Sequence, residues 1–92
     1  MFVILCYDVV ADNRRTRLLK RLKGYLSHVQ KSVFEGEITD ARFNELAVMI
    51  MQVINPHEDS VRIYRQCSRC ISSTEIFGVG VYIEPGEKDE II

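Results

Sequence analysis

One carboxylate stands at the end of an apolar run near the start of the chain, and a strongly basic segment follows it. The run covers residues 2–7 and stops at Asp8. Residues 13–34 then contain no Asp or Glu, but they hold seven of the chain's 12 Lys and Arg: Arg14, Arg15, Arg17, Lys20, Arg21, Lys23 and Lys31. An acid at the end of a buried strand, beside cations that attract phosphate, is typical of a site where a metal ion and a polyanion meet.

Asp8 alone is a small ligand set for a divalent metal ion. Mg²⁺ takes about six oxygen ligands, of which proteins often supply one or two carboxylates, with water and phosphate as the rest. A two-fold symmetric dimer would bring two Asp8 side chains together. Mg²⁺ or Mn²⁺ held there would activate water for phosphodiester hydrolysis, and Arg15 or Arg17 would stabilise the developing negative charge. The alternative is that Asp8 only shapes the turn before the next helix by accepting backbone N–H groups.

The basic segment predicts a helix with a cationic surface. Its apolar side chains recur at helical spacing and form one stripe: Leu18, Leu19, Leu22, Tyr25 and Leu26. Arg17 and Arg21 are predicted on the solvated side, with Arg14 at its border. Arg15 lies in the first turn, where its guanidinium is expected over the end of the strand, near Asp8. Ordinary solvated helix faces mix both signs of charge, so we favour sequence-independent phosphate binding over a merely solvated face.

The three cysteines do not predict a disulfide framework, because their number is odd. Cys67 and Cys70 have the spacing of metal or redox pairs. A zinc site needs about four ligands, however, and only His28 or His57 could add to the pair. We therefore interpret the pair as two small residues in a loop at a strand end, and Cys6 as a small core residue.

The helices are predicted from their caps and their apolar spacing. Asp12 or Asn13 is expected to cap the first helix, and Thr39 or Asp40 the second. The second helix carries a clean apolar stripe: Phe43, Leu46, Ala47, Ile50, Val53 and Ile54. Asn-Pro at residues 55–56 ends it.

The strands complete an α+β arrangement. Residues 29–38 form either one bent strand or a tight hairpin, residues 61–67 alternate as a strand, and residues 76–83 supply an extra one. This order predicts a ferredoxin-like βαββαβ sandwich with two helices on one face of the sheet, in which the extra C-terminal strand pairs with a partner's sheet edge. We assign residues 1–84 to one domain and residues 85–92 to an acidic tail, which is either disordered or docked on a basic partner surface.

Three segments of the chain resemble the hallmarks of the CRISPR-associated protein 2 family. The first is Tyr7-Asp8 followed by Asp-Asn-Arg-Arg-Thr-Arg at residues 12–17. The second is Val-Gln-Lys-Ser-Val-Phe-Glu-Gly at residues 29–36, and the third is Asp-Ser-Val-Arg-Ile-Tyr at residues 59–64. The resemblance covers roughly residues 1–83, and the order and separation of the three segments make it specific.

This resemblance implies a ferredoxin-like homodimer that acts in CRISPR adaptation, the acquisition of new spacers, by bridging two dimers of the CRISPR-associated protein 1 integrase. Many family members are described as metal-dependent nucleases, some on single-stranded RNA and some on duplex DNA. The family's metal-binding acid falls on Asp8, with Mg²⁺ or Mn²⁺ as the implied cofactor, and its functional tyrosine falls on Tyr7. Its helix-start arginines fall on Arg15 and Arg17, and the aromatic of the second motif falls on Phe34.

Several of these residues have an ordinary structural role as an alternative. Tyr7 and Phe34 would each pack in the core, although Phe34 would also suit the wall of a site or a dimer interface. Ser32 would either support a metal-bound water or hydrogen-bond to backbone. His28 stands where the family often has arginine, which would make the charge at that position depend on pH.

Composition limits the functions that remain. The 92 residues carry a net charge of −1 and contain no stretch near the roughly 20 apolar residues of a membrane span, so we expect a cytoplasmic protein with no membrane partner. One hypothesis is a dimeric scaffold that holds duplex DNA for an integrase, and the other is an endonuclease that uses Asp8 and Mg²⁺ or Mn²⁺. A third, a regulatory domain for a small ligand, would leave the basic segment unexplained.

Overall fold

The computed structural model describes residues 1–67 and residue 75. Its elements follow in the order β1 (Phe2–Asp8), α1 (Asp12–Leu22), β2 (Ser27–Gln30), β3 (Val33–Glu37), α2 (Asp40–Val53) and β4 (Ser60–Gln66). The strands form one sheet in the order β2-β3-β1-β4, and each neighbouring pair is antiparallel. This confirms the predicted ferredoxin-like βαββαβ arrangement. The extra strand predicted at residues 76–83 and the predicted tail at residues 85–92 lie outside the described residues.

The core lies between the sheet and the two helices, and β1 shows how the chain builds it. Side chains alternate along a strand, so Val3, Leu5 and Tyr7 point toward the helices and are buried, whereas Cys6 and Asp8 belong to the opposite face. The largest fully buried side chains come from strands β1 and β3 and from both helices: Phe34, Leu5, Leu18, Leu22, Leu46 and Val3. The apolar run that ends at Asp8 is therefore a central strand whose last residue emerges at the surface.

The start of α1 differs from the prediction. The helix begins at Asp12, its N-cap is Ala11, and no side chain caps it, so the predicted cap at Asp12 or Asn13 is wrong. Asp12 already lies in the first turn, where its carboxylate pairs with Arg15, and the Asn13 amide oxygen accepts from the backbone N–H of Arg14. The side chains that were expected to cap the helix are thus committed to the arginines.

The start of α2 follows one of the two predicted possibilities. The side chain of Thr39 accepts a hydrogen bond from the backbone N–H of Arg42 at 3.2 Å, which confirms Thr39 as the cap. The buried side chains of α2 include Met49, which the predicted stripe did not contain. Neither helix in the described part of the chain is long and apolar enough to cross a membrane.

Residues 27–37 form a hairpin rather than one bent strand. β2 and β3 are joined through Lys31 and Ser32, and the register between them is irregular between His28 and Gln30. On the other side of β1, β4 places Val61 and Ile63 against the core and leaves Tyr64 48% exposed on the outer face. The antiparallel register sets Ser60, the first residue of β4, opposite Asp8. The carboxyl end of β1 therefore meets the loop between α2 and β4.

Candidate nucleic-acid and metal site

Asp8 is exposed at the carboxyl end of β1, on the face of the sheet that the helices leave uncovered. It lies in the centre of the sheet, between β3 and β4. Its carboxylate forms no ion pair with any residue in the described part of the chain. The alternative role, in which Asp8 shapes the following turn, falls to another acid, because the N–H of Val10 donates to Asp59. Asp8 therefore presents an acceptor to solvent.

Arg15 is fixed at the same end of β1. Its Nη1 donates to the backbone oxygen of Val9 at 2.8 Å, and its Nη2 forms an ion pair with Asp12. The guanidinium thus lies at the end of the strand, where its first-turn position predicted it. It is 44% exposed, it is bonded to the loop that follows Asp8, and it forms no ion pair with Asp8.

Arg14 has turned inward, which the sequence did not indicate. Its Nε donates to Asp59 Oδ2 at 2.8 Å, and its Nη2 reaches both Asp59 Oδ1 at 3.2 Å and Glu58 Oε1 at 3.0 Å. The hydrogen bond to Asp59 raises the pKa of Arg14 above its ordinary value, and the neighbouring Glu58 adds to the effect. The positive charge of Arg14 is therefore used to join α1 to the loop before β4.

Asp59 receives four hydrogen bonds in a side chain with no exposed surface. Besides Arg14, the backbone N–H groups of Val10 and Asn55 donate to it at 2.9 and 2.8 Å. The hydrogen bond from Arg14 is the main reason that the pKa of Asp59 lies well below its usual range, and the two backbone donors assist, against the opposing effect of desolvation. The sequence analysis noted Asp59 only as part of a motif. Its position just before a strand gave no signal of this role.

The outer surface of α1 carries the other predicted cations. Arg17, Lys20 and Arg21 are exposed, and none of them forms an ion pair with a residue in the described ranges. Arg17 and Lys20 line a shallow depression together with Asn13, Thr16 and Asp12, whose carboxylate pairs with Arg15. Arg21 points instead toward the groove between α1 and α2, which also contains Glu45. The basic face, defined here as Arg17 and Lys20, lies on the second and third turns of α1.

Tyr7 lies on the opposite face of β1 from Asp8. Its side chain is buried, and its hydroxyl donates to the backbone oxygen of Lys31 at 3.2 Å. Burial raises the pKa of this hydroxyl, while the nearby Arg15 lowers it to a smaller extent. The hydroxyl therefore stays protonated at neutral pH and acts as a hydrogen-bond donor. The backbone N–H of Tyr7 also donates to the oxygen of Ser32, so Tyr7 holds the turn between β2 and β3.

Phe34 and His28 form a stacked pair inside the domain. Phe34 is fully buried, and the His28 ring lies 4.6 Å from it at an interplanar angle of 16°. His28 Nε2 lies 3.1 Å from the oxygen of Lys31, an acceptor, so this nitrogen carries a proton. These positions favour core packing for Phe34, and they place His28 away from any phosphate at the surface. Ser32 lies half-buried in the turn that Tyr7 holds.

A single copy of the chain offers a metal ion very few ligands. The described residues contain no group of three His, Cys, Asp or Glu side chains that could hold an ion. Asp8 supplies one hard oxygen ligand, and Mg²⁺ is commonly held by one or two carboxylates, so water, a phosphate or the Asp8 of a second copy would complete the shell. Cys67 is exposed at the edge of the described part, and Cys70, its predicted partner in spacing, lies outside it.

Comparisons with known proteins agree with this architecture. The family model of CRISPR associated protein Cas2 matches residues 1–74. A relative from Chloroflexus aurantiacus, named CRISPR-associated endoribonuclease Cas2 3, is 41% identical over 81 residues, which cover 88% of this chain and 87% of the relative. The crystal structure of Streptococcus pyogenes Cas2 at pH 6.5 aligns with a TM-score of 0.74 and 30% identity, over 85% of this chain and all of that one. A hypothetical protein from Thermus thermophilus aligns with a TM-score of 0.76 and 30% identity, over 86% of this chain and 92% of its own. This chain belongs to the CRISPR-associated Cas2 family.

Proposed function

We propose that this protein serves CRISPR adaptation as a dimeric module that binds nucleic acid through its phosphates. The observation that carries the proposal is the surface of α1, where Arg17 and Lys20 are exposed without an ion pair in the described part of the chain. Charges that a fold uses internally are paired, as Arg14 and Arg42 are. Cations left unpaired beside one another repel, so an anionic partner stabilises them.

Binding of this kind is independent of sequence. Arg and Lys contact phosphate oxygens, which are the same at each nucleotide, and base readout needs groups that reach the base edges. Neither helix of this fold is presented as a recognition helix, because both cover the sheet with their apolar sides. The proposed ligand is therefore duplex DNA, or single-stranded RNA, held by its backbone with a strong dependence on salt.

The uncovered face of the sheet supports a homodimer. It carries half-buried apolar side chains, Ile4 and Cys6, and the exposed Tyr64 of the neighbouring β4. A second copy on this face would remove that apolar surface from water. The face also ends in Asp8, so the same contact would bring two carboxylates near each other. The CRISPR-associated protein 1 integrase is the proposed partner of the dimer, through the family resemblance.

The binding proposal is tested by a salt series. Fluorescence anisotropy with a labelled duplex of mixed sequence and with one of scrambled sequence would give the affinity at several salt concentrations. Equal affinity for the two duplexes and a steep loss of binding with salt are expected. Charge reversal at Arg17 and Lys20 should abolish binding. Salt-independent binding, or full binding by the reversed variant, would contradict the proposal.

A metal-dependent endoribonuclease is the second candidate function, and the names of the relatives favour it. Asp8 from each of two copies would hold Mg²⁺ or Mn²⁺, while Arg15, fixed by Val9 and Asp12, would bind and orient a phosphate. Such an ion supplies Lewis-acid polarisation and an activated water for phosphodiester hydrolysis. In this candidate Tyr7 acts by holding the turn at Lys31.

Cleavage assays separate the two candidates. Wild type, Asp8→Ala and the matched surface variant Asp40→Ala would be incubated with labelled single-stranded RNA and duplex DNA, in Mg²⁺, Mn²⁺ or chelator. Cleavage that requires metal, survives in Asp40→Ala and falls by about 100-fold or more in Asp8→Ala would establish the enzyme and its substrate. Binding without cleavage in each metal, unchanged by Asp8→Ala, would leave the module as a scaffold.

A further inference from the structure

In the loop between Asp8 and α1, Val9 is the one residue buried in the core. Val10 is 64% exposed, and Ala11, the N-cap residue, provides no side-chain hydrogen bond. Two polar contacts also fix the backbone of the loop. Arg15 donates to the oxygen of Val9, and the N–H of Val10 donates to Asp59 at 2.9 Å. Besides the burial of Val9, the conformation of the loop thus depends on one residue of α1 and on one residue of the loop before the neighbouring strand β4.

Asp59 is itself fixed by the loop that precedes β4. Its backbone N–H donates to the oxygen of Asn55 at 2.8 Å, while its carboxylate accepts the N–H of Asn55 at 2.8 Å. This reciprocal pair closes a compact turn just before the strand whose first residue lies opposite Asp8. The carboxylate then faces α1, where Arg14 approaches it with two nitrogens. A rigid turn therefore presents an anion at the junction of β1, α1 and β4.

We propose that Asp59 is a positioning residue for the Asp8 end of the site. By binding Val10 and Arg14, it sets the path of the loop, and it thereby fixes where Asp8 and the guanidinium of Arg15 stand relative to a bound phosphate or metal ion. The side chain of Asp59 has no exposed surface, so it acts through the loop and touches neither ligand. The proposal rests on the proposed function and extends it to a residue in the loop before β4.

The first test uses the wild-type protein and Asp59→Asn. Each carboxylate oxygen of Asp59 accepts two hydrogen bonds. In Asp59→Asn one of these oxygens is replaced by an N–H₂ group, which is a donor and cannot accept the two hydrogen bonds made there. The Val10 amide should exchange slowly with solvent in the wild type, despite the exposure of that residue, and faster in the variant. Amides of β1 should stay protected in both, which shows that the variant is folded.

Ligand binding is the readout that a purely structural role would not move. In samples with protected β1 amides, the affinity for Mn²⁺, measured by electron paramagnetic resonance of the free ion, should fall about tenfold in Asp59→Asn, as for other groups that orient a metal ligand. The affinity for single-stranded RNA should fall with it. Glu58→Gln is the matched control, because it removes an acid that also pairs with Arg14 but has no bond to the loop. It should bind as the wild type does.

Arg14→Lys keeps the test decisive if Asp59→Asn does not fold. A lysine retains the charge beside Asp59 but not the two-point contact, so Mn²⁺ and RNA affinities should lie between those of the wild type and Arg14→Met. Faster Val10 exchange with unchanged affinity for both ligands, in Asp59→Asn or in Arg14→Met, would overturn the proposal. A wild-type protein that binds neither Mn²⁺ nor nucleic acid would instead overturn the proposed function, and the positioning role with it.

Discussion

Two aspartates lie at the same end of strands β1 and β4, and they differ in exposure and in hydrogen bonding. Asp8 ends β1, is exposed, and forms no ion pair with a residue that the structure describes. Asp59 immediately precedes Ser60, which lies opposite Asp8, yet its side chain is fully buried and accepts four hydrogen bonds. The same chemical group thus appears once with its acceptors satisfied by the fold and once with them turned to solvent.

This difference separates a carboxylate that the fold uses from one whose oxygens are left accessible at the surface. A buried anion is stable only where hydrogen-bond donors replace the water it has lost. The four donors around Asp59 therefore indicate that its carboxylate stabilises the fold. Asp8 stays in contact with water and forms no ion pair with a described residue, so its oxygens are available to a cation. The basic residues divide in the same way. Arg14 and Arg42 form ion pairs within the chain, whereas Arg17 and Lys20 form none with a described residue.

The largest effect expected from the comparison is on stability. Asp59→Ala leaves the guanidinium of Arg14 and two backbone N–H groups without their acceptor, so the melting temperature should fall by more than about 10 °C. Asp8→Ala removes an exposed side chain with no ion pair and should change it by less than about 3 °C. Thermal unfolding followed by circular dichroism measures both. Equal losses in the two variants would show that the aspartates are not divided in this way.

Acid should erase the contribution of Asp59. Its pKa is lowered in the folded protein, so the stabilisation is present above the unfolded value of about 3.9 and is lost as the pH falls below it toward the folded value. The difference in melting temperature between wild type and Asp59→Asn should therefore be constant from pH 5 to 8 and shrink to roughly half by pH 2.5.

Comparison with Asp8→Asn isolates this effect from the other acids. The other carboxylates are present in all three proteins, so their effect on the melting temperature cancels in the difference between wild type and each variant. The difference between wild type and Asp8→Asn should stay close to zero at each pH. A wild-type advantage over Asp59→Asn that persists undiminished to pH 2.5 would argue against an ionised Asp59 as its source.

The sequence was sufficient for the architecture because the architecture depends on periodicity. The run at residues 2–7 and the stripe of α2 each report burial directly, and the structure confirms the βαββαβ order from them. The exposed end of β1 was equally visible, since a single charge ends an apolar run. Strand and helix patterns are local in the chain, because the spacing of apolar residues within a short segment is enough to reveal them.

The partners of the charges could not be predicted in the same way. Arg14 and Arg15 are adjacent and identical in type, yet one reaches Asp59, 45 residues away, and the other reaches Val9. Which of them turns inward depends on the angle at which α1 leaves β1 and on where the α2–β4 loop closes. Both are tertiary quantities. The wrong cap prediction has the same origin, because Asp12 and Asn13 had the right chemistry for a cap but were bound to the arginines.

A smaller effect is expected when the available cations are removed one at a time. Arg17→Gln and Lys20→Gln should each reduce the slope of log affinity against log salt for duplex DNA by about 0.9, with a several-fold loss of affinity. Arg42→Gln is the matched control, because Arg42 pairs with Glu45, donates to the oxygen of Gly24 and lies over the Tyr25 ring. Its slope should not change. A loss of slope in Arg42→Gln as large as in Arg17→Gln would remove the distinction between bound and available cations.

The smallest effect tests the acid itself, and its sign depends on metal. In chelator, the negative charge of Asp8 would repel the phosphates of bound RNA. Asp8→Asn should therefore tighten binding of single-stranded RNA. The gain should be only about twofold at physiological salt, because screening over about 8 Å limits the repulsion. In Mn²⁺ the same substitution should weaken binding, because the carboxylate then holds a cation that the RNA shares. Anisotropy titrations of wild type and Asp8→Asn in both conditions measure this reversal. If the ratio of the RNA affinities of Asp8→Asn and wild type were the same with and without Mn²⁺, Asp8 would bind no metal. It would then be an ordinary surface aspartate.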